Sequence, residues 1–331
     1  LIGEMLADSI LDDEKRLCEI VAEMKSRSQA KLNSAAHSAA VARATSYFSA
    51  TSAFNDITGG IAYYQFLEDL ARNFEDRKTV LMQKLKETAG RLFTADNMTV
   101  SYTADDEGFR YLAPAMKLLK EKLPETGGPS YPFIWEKGNR NEGFMTSSQV
   151  NYVARCGSFA ESGYAYTGAL RVLKPILGYD YLWLNVRVKG GAYGVMNSAG
   201  RSGEGYFVSY RDPNLKETDQ VFEGVADYLE QFDADERDMT KYVIGTISDM
   251  DTPLLPPYKG AKAVSAWYSG ITDEMLAEER RQVLAAQPED IRALAKIIRA
   301  ILSTGSFCVV GNSEKIKENK ELFGSIKNLF N

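Results

Sequence analysis

Histidine is almost missing from this sequence: His37 is the only one in 331 residues. A hydrolytic zinc site of the common two-histidine, one-carboxylate type cannot be assembled from a single imidazole. Cysteine is nearly as scarce. Cys18, Cys156 and Cys308 are odd in number and far apart, which fits neither a disulfide framework nor a thiolate-rich metal site. Set among apolar neighbours, they read as buried free thiols, which suits a reducing, soluble compartment such as the cytoplasm. No apolar run reaches the roughly 18 to 20 residues needed to cross a bilayer, and the first residues lack the segments of a signal peptide. Positive charge is short too, with a formal net charge of -6, whereas nucleic-acid binding is driven by clustered Lys and Arg. Neither a membrane nor a nucleic acid is an expected partner.

What is present is an ordinary globular composition, 44% hydrophobic and 25% charged, in a chain long enough for two domains. From Leu1 to about Leu123 the apolar residues fall at helical spacing, as in Leu17, Ile20, Val21 and Met24. One strand is expected among these helices, where Met98, Val100 and Tyr102 alternate with polar residues. Pro124 to Gly143 is rich in proline and glycine and reads as a linker. Strands are expected at Gln149–Ala154, Tyr206–Tyr210 and Ser306–Val310, and helices at Ala165–Leu177, Leu215–Phe232, Asp235–Asp249, Thr272–Ala286 and Pro288–Leu302. Asn214 with Glu217 has the spacing of a capping box for the second of these helices. Tyr181–Val188 is ambiguous. The class is α+β, with helices on one face of a mostly antiparallel sheet. Starting at Leu1 inside an amphipathic run (Ile2, Met5, Leu6, Ile10), the chain is expected to be a truncated piece.

Catalytic groups are few. A serine or cysteine nucleophile would need His37 as its base, and no Gly-x-Ser-x-Gly elbow is present. His37 lies in a run of small residues, Ser34 to Ala40, and reads as a partly buried structural histidine. Gly190-Gly191-Ala192-Tyr193-Gly194 lacks the Gly-Lys-Ser/Thr ending of a phosphate loop and the spacing of a dinucleotide fingerprint. No metal ligand set and no cofactor site is expected in this chain. The glycines instead permit close backbone approach, with Gly190, Gly191 and Ala192 as candidate substrate-binding positions between Arg187 and Tyr193. A guanidinium can hold peptide carbonyl or carboxylate oxygens, and a phenol can donate a hydrogen bond to an oxyanion. A surface arginine and a core tyrosine flanking a turn would share the same spacing.

The string Arg187-x-Lys189-Gly-Gly-Ala-Tyr193-Gly, followed by Ser209-Tyr210-Arg211-Asp212-Pro213-Asn214 and preceded by Val150-Asn151-Tyr152-Val153, resembles the carboxy-terminal half of presequence proteases. These belong to the insulinase, or pitrilysin-type, clan of inverted-motif zinc metallopeptidases. The resemblance implies two pitrilysin-type domains: residues 1–125 as the later, mostly helical part of a third peptidase domain, 126–146 as a linker, and 147–331 as a fourth domain. It implies a non-catalytic half that orients a peptide in an enclosed chamber, with Arg187 positioning substrate and Tyr193 stabilising the oxyanion. Zinc would belong to the missing amino-terminal catalytic half of the parent metalloendopeptidase, and this piece would be inactive alone. Its partners would be the peptide substrate and that missing half, with self-association through the exposed face where the halves meet. The alternative is a standalone, non-catalytic binding or scaffold subunit that pairs with a separate catalytic subunit.

Overall fold

The run SFCVVGN is apolar on both sides of the pleat, and in the computed structural model, which describes residues 1–138, 140–303 and 305–330, it is buried along almost its whole length. A strand buried on both faces needs a layer of structure on each side. It is one of six described strands: β1 (Glu142–Thr146), β2 (Tyr152–Ser158), β3 (Gly194–Ala199), β4 (Glu204–Tyr210), β5 (Ser306–Asn312) and β6 (Ser325–Asn328). They form one sheet in the order β3-β4-β2-β5-β1-β6. The pairs β3/β4, β4/β2 and β2/β5 are antiparallel, while β5/β1 and β1/β6 are parallel.

Alternation along the central strands divides the core in two. Val153, Phe207, Phe307 and Val309 face the main helical layer, where Leu173 and Ile176 of the Ala169–Tyr179 helix, Leu229 and Ile298 complete the cluster. This layer is the one expected from the sequence. The opposite face is also covered. Tyr152, Ala154, Cys156, Val208, Cys308 and Val310 pack against Ala36, Ala39, Ala40 and Ala44 of the Ala36–Thr45 helix. Alanine at these positions lets the helix backbone lie close to the sheet. The helix is also anchored electrostatically: the partly buried Arg43 guanidinium donates to Asp56 at 2.6 Å and to Glu142 of β1 at 2.7 Å. Burial disfavours its charge, but the two carboxylates outweigh this and raise its pKa.

The chain divides into two compact units that are not contiguous in sequence. The sheet unit comprises Ser28–Tyr64, Ile134–Thr252 and Asp273–Asn331; the other comprises Leu1–Arg27, Gln65–Phe133 and Pro253–Thr272. The second unit is helical and has a small core of Val21, Leu70 and Phe74. Its Asp106–Lys122 and Pro256–Tyr268 helices bury no residue and expose Tyr111, Leu118, Trp267 and Tyr268. The expected strand at Met98–Thr103 does not form. Alternation makes a strand only where a neighbour takes its hydrogen bonds, and here Met98 turns back to the Ala95 carbonyl instead. Conversely β1 reaches into the expected linker. The helix expected over Leu215–Phe232 is two helices broken at Gly224. No described helix is long and apolar enough to cross a membrane.

The thiols separate by environment. Cys156 and Cys308 are fully buried, and burial pushes both upward, Cys156 to about 12. Cys18 differs from the sequence expectation: it lies on the exposed stripe of the Glu14–Ser34 helix. A thiol reagent at pH ~8 is therefore expected to titrate one cysteine in the native protein and three after denaturation; three fast-reacting native thiols would contradict the fold.

Candidate functional site

The ambiguous stretch after the Ala169–Tyr179 helix is a π-helical segment, Trp183–Lys189. Such wide turns are rare and concentrate at functional sites. Leu182 and Val186 anchor it in the core. It ends in the glycine turn. A Cβ on Gly190 would lie 2.6 Å from the Val186 carbonyl oxygen, and Gly191 has φ +80°, so both positions favour glycine. The Gly191 N–H donates to the Arg187 carbonyl at 2.9 Å and the Ala192 N–H to that of Val186 at 3.1 Å. Tyr193 then donates its N–H to the Tyr210 carbonyl at 3.1 Å, one residue before β3 begins.

This turn brings the two candidate residues together. The Arg187 guanidinium carbon lies 4.0 Å from the Trp183 ring centroid and 5.7 Å from that of Tyr193. Aromatic faces attract a guanidinium without using its N–H donors. Among the described residues, neither Arg187 nor the Tyr193 hydroxyl has a side-chain hydrogen-bond or ion-pair partner. Tyr193 is 65% exposed. The pair therefore presents free donors at the surface, held by packing alone. Gly190, Gly191 and Ala192 serve the turn itself. The Gly191 and Ala192 amides are engaged within it, and Ala192 is buried.

A buried polar node holds the turn to the sheet. Asn214 donates its side-chain amide to the Gly190 carbonyl at 2.6 Å. Asn214 is therefore not a helix cap: the following helix, Lys216–Glu223, starts without one. Its own N–H donates to Asp212, which also accepts from Thr218 at 2.7 Å. Asp212 is fully buried, and burial raises its carboxyl pKa while these donors pull it back. Asn151 and Asp212 exchange two backbone hydrogen bonds, at 2.7 and 2.9 Å, and the Asn151 carboxamide accepts from Asn312 at the end of β5. The β2/β4 register pairs Ala154 with Val208, but Asn151 pairs with Asp212, so β4 carries one extra residue. That bulge contains Arg211, at φ 50°.

From Tyr193 a line of rings runs inward: Tyr210 is 5.9 Å away, and His37 is 5.0 Å from Tyr210, both edge to face. His37 is half-buried, its Nδ1 has no hydrogen-bond partner among the described residues, and burial lowers its pKa. Sequence reasoning missed Trp183, Asn151, Asp212 and Asn214 as supports of the site. The four-residue spacing of Trp183 and Arg187 was an available signal for the first; the other three converge only in the fold. No group of three or more His, Cys, Asp or Glu side chains among the described residues could hold a metal ion. The donor set of the described residues thus does not fit a zinc ion.

The family profile for the PreP C-terminal domain matches residues 141–313, and a second profile, for a peptidase-associated region, matches residues 1–70. A Clostridium perfringens protein called HypA is 39% identical over 329 residues, covering 99% of this chain and 34% of its own length. Presequence protease 1 of Arabidopsis thaliana is 29% identical over 320 residues, covering 96% of this chain and 29% of its own. The mitochondrial presequence protease of Yarrowia lipolytica is 28% identical over 309 residues, with coverages of 89% and 30%. The chain spans about a third of the length of these relatives.

Two outcomes are expected from the node and its neighbour. Asn214→Ala leaves the Gly190 carbonyl without its partner and should lower stability by about 1–3 kcal/mol in chemical denaturation; an unchanged midpoint would remove Asn214 from its anchoring role. For His37, the folded pKa lies below the unfolded one. Its stabilising contribution is therefore complete above pH ~6.5 and is lost as pH falls through the folded value. His37→Gln should flatten the pH dependence of the denaturation midpoint in that window.

Proposed function

The chain belongs to the PreP C-terminal domain family, and on that premise we propose that it is the substrate-positioning part of a zinc metalloendopeptidase that cleaves peptides in an enclosed chamber. The groups that activate water lie in the part of the polypeptide outside this chain, which is inactive alone. Arg187 donates to a backbone carbonyl beside the scissile bond. Tyr193 donates its phenolic hydrogen to the oxyanion that forms when the peptide carbonyl is attacked. The observation that carries this reading is the Arg187 guanidinium held over the Trp183 ring and within 5.7 Å of the Tyr193 ring centroid, with the side-chain donors of both candidate residues free.

An arginine serving only stability would pair with a carboxylate, as Arg43 and Arg155 do. Held over rings instead, Arg187 keeps a planar fork of donors open to a ligand while its orientation is restricted before binding, which reduces the entropy that binding costs. Tyr193 follows a turn whose backbone is fully engaged, so the phenol is carried on a stiff base.

In the complete enzyme Tyr193→Phe is expected to lower kcat by about ten- to a thousandfold with a small effect on KM, the range for losing one oxyanion donor. Arg187→Ala should act mainly through KM. A Tyr193→Phe enzyme that cleaves peptides at the wild-type rate would show the assignment to be wrong.

A further inference from the structure

The Ala36–Thr45 helix packs on β2, β5 and β4, and the sheet continues past it to the edge strand β3. Side chains on this face of β3 and β4, among them Met196 and Tyr206, form the floor of a groove of about 410 Å³; His37 and Val41 of the helix form its wall. The volume falls in the range of about 300–1,000 Å³ seen for ligand clefts. The groove is continuous with the Arg187–Tyr193 pair: Gly194, next to Tyr193, is in register with Tyr210, whose ring meets both Tyr193 and His37. At the other end, Ser198 pairs with Tyr206 and Ala199 with Gly205, and Glu204 follows at the hairpin. Six residues of strand separate the two ends, roughly 20 Å.

Two further features select an occupant. β3 is one of the two outermost strands, so one of its edges has no strand partner among the described residues, and such an edge pairs readily with an extended chain. Glu204 is the only Asp, Glu, Lys or Arg lining the groove among the described residues, and it has no ion-pair partner there. Burial holds the imidazole at the opposite end toward its neutral form.

We infer that this groove is a specificity subsite for an extended peptide that adds to the edge of β3, sets alternate side chains over the groove, and places a basic side chain against Glu204 about five or six residues from the bond held at Tyr193. The inference rests on the proposed role of Arg187 and Tyr193 and extends it from one bond to a segment of substrate. Main-chain pairing along β3 tolerates any sequence, the floor accepts small and medium apolar side chains, and Glu204 supplies the charge preference.

The test uses the complete enzyme and peptide pairs that are identical except for Lys or Glu at one position, scanned along both sides of the cleaved bond. Wild type should favour Lys over Glu by about two- to fivefold in kcat/KM at one distal position, the size of a partly exposed ion pair, with the difference in KM. The ratio should collapse toward one in Glu204→Gln and invert in Glu204→Lys. Ser198→Lys, a second change on the same floor, should shift it the same way. An unchanged ratio in all three variants would overturn the subsite. Sedimentation of these variants addresses the other occupant: a second copy paired at β3 would make dimerisation, and not the peptide ratio, respond to Glu204→Lys, which also overturns it. Failure of the underlying reading is distinct. If Tyr193→Phe leaves kcat unchanged while Glu204→Lys inverts the ratio, the subsite stands and the oxyanion role falls.

Discussion

The site depends on one buried carboxylate. Among the described residues, Asp212 has no cation within reach of an ion pair; it is held by the Asn214 N–H and the Thr218 hydroxyl, while its backbone is bonded to Asn151. A group whose burial disfavours charge is costly unless every neighbour is placed to satisfy it. That requirement is what gives the node its rigidity. Asn151 ties it to β5 through Asn312, and Asn214 ties it to the glycine turn through Gly190. Displacing the turn would break the 2.6 Å, partly buried bond to Gly190, so the base of Tyr193 inherits the stiffness of the sheet.

Local strain is concentrated in the same place. Arg211 is the one described non-glycine residue in the left-handed region, at a cost of roughly 1–3 kcal/mol. It is the extra residue of the bulge, and its carbonyl, with that of Tyr210, receives the Tyr193 N–H. The bulge and the π-helical turn are both one-residue departures from regular geometry, on either side of Tyr193. Each changes the direction of the chain where a regular element would have carried the phenol elsewhere.

How much of this is readable from sequence depends on the range of the interactions involved. Helical periodicity locates Glu236–Met250 and Asp273–Leu284 to within a residue or two of their ends, because that signal is local. The turn between Arg187 and Tyr193 is legible because its glycines mark it, but the spacing alone fits a surface arginine and a core tyrosine equally well, and only the resemblance chooses between the two readings. Asn214 shows the limit. Its capping-box spacing is real, but a carbonyl 24 residues away in sequence offers a better partner, and no local pattern reveals that competition. The Met98–Thr103 alternation fails for the same reason, since a strand is defined by a neighbour. The alanine run around His37 reads correctly as a helix, yet its close packing on the opposite face of the sheet depends on strands more than 100 residues downstream.

On the proposed role, the exposure of the site follows from a division of labour between support and binding. An arginine that orients a peptide must be charged, directed and uncommitted, and these demands conflict: direction normally comes from a carboxylate, which would occupy its donors. The aromatic rings of Trp183 and Tyr193, with centroids 4.0 and 5.7 Å from the guanidinium carbon, offer a way out of the conflict, since ring contacts need not use its N–H donors. The arrangement leaves cationic donors and a phenol unsatisfied at the surface, which water tolerates in the free protein. Within a closed, dry chamber the same donors would be unpaired until a peptide supplied carbonyl oxygens. Binding would then be strongest where solvent is most excluded, since hydrogen bonds to charged groups gain most from a low dielectric. The node beneath the turn is compatible with the proposed role: it anchors the turn through Gly190 and occupies none of the side-chain donors of Arg187 or Tyr193.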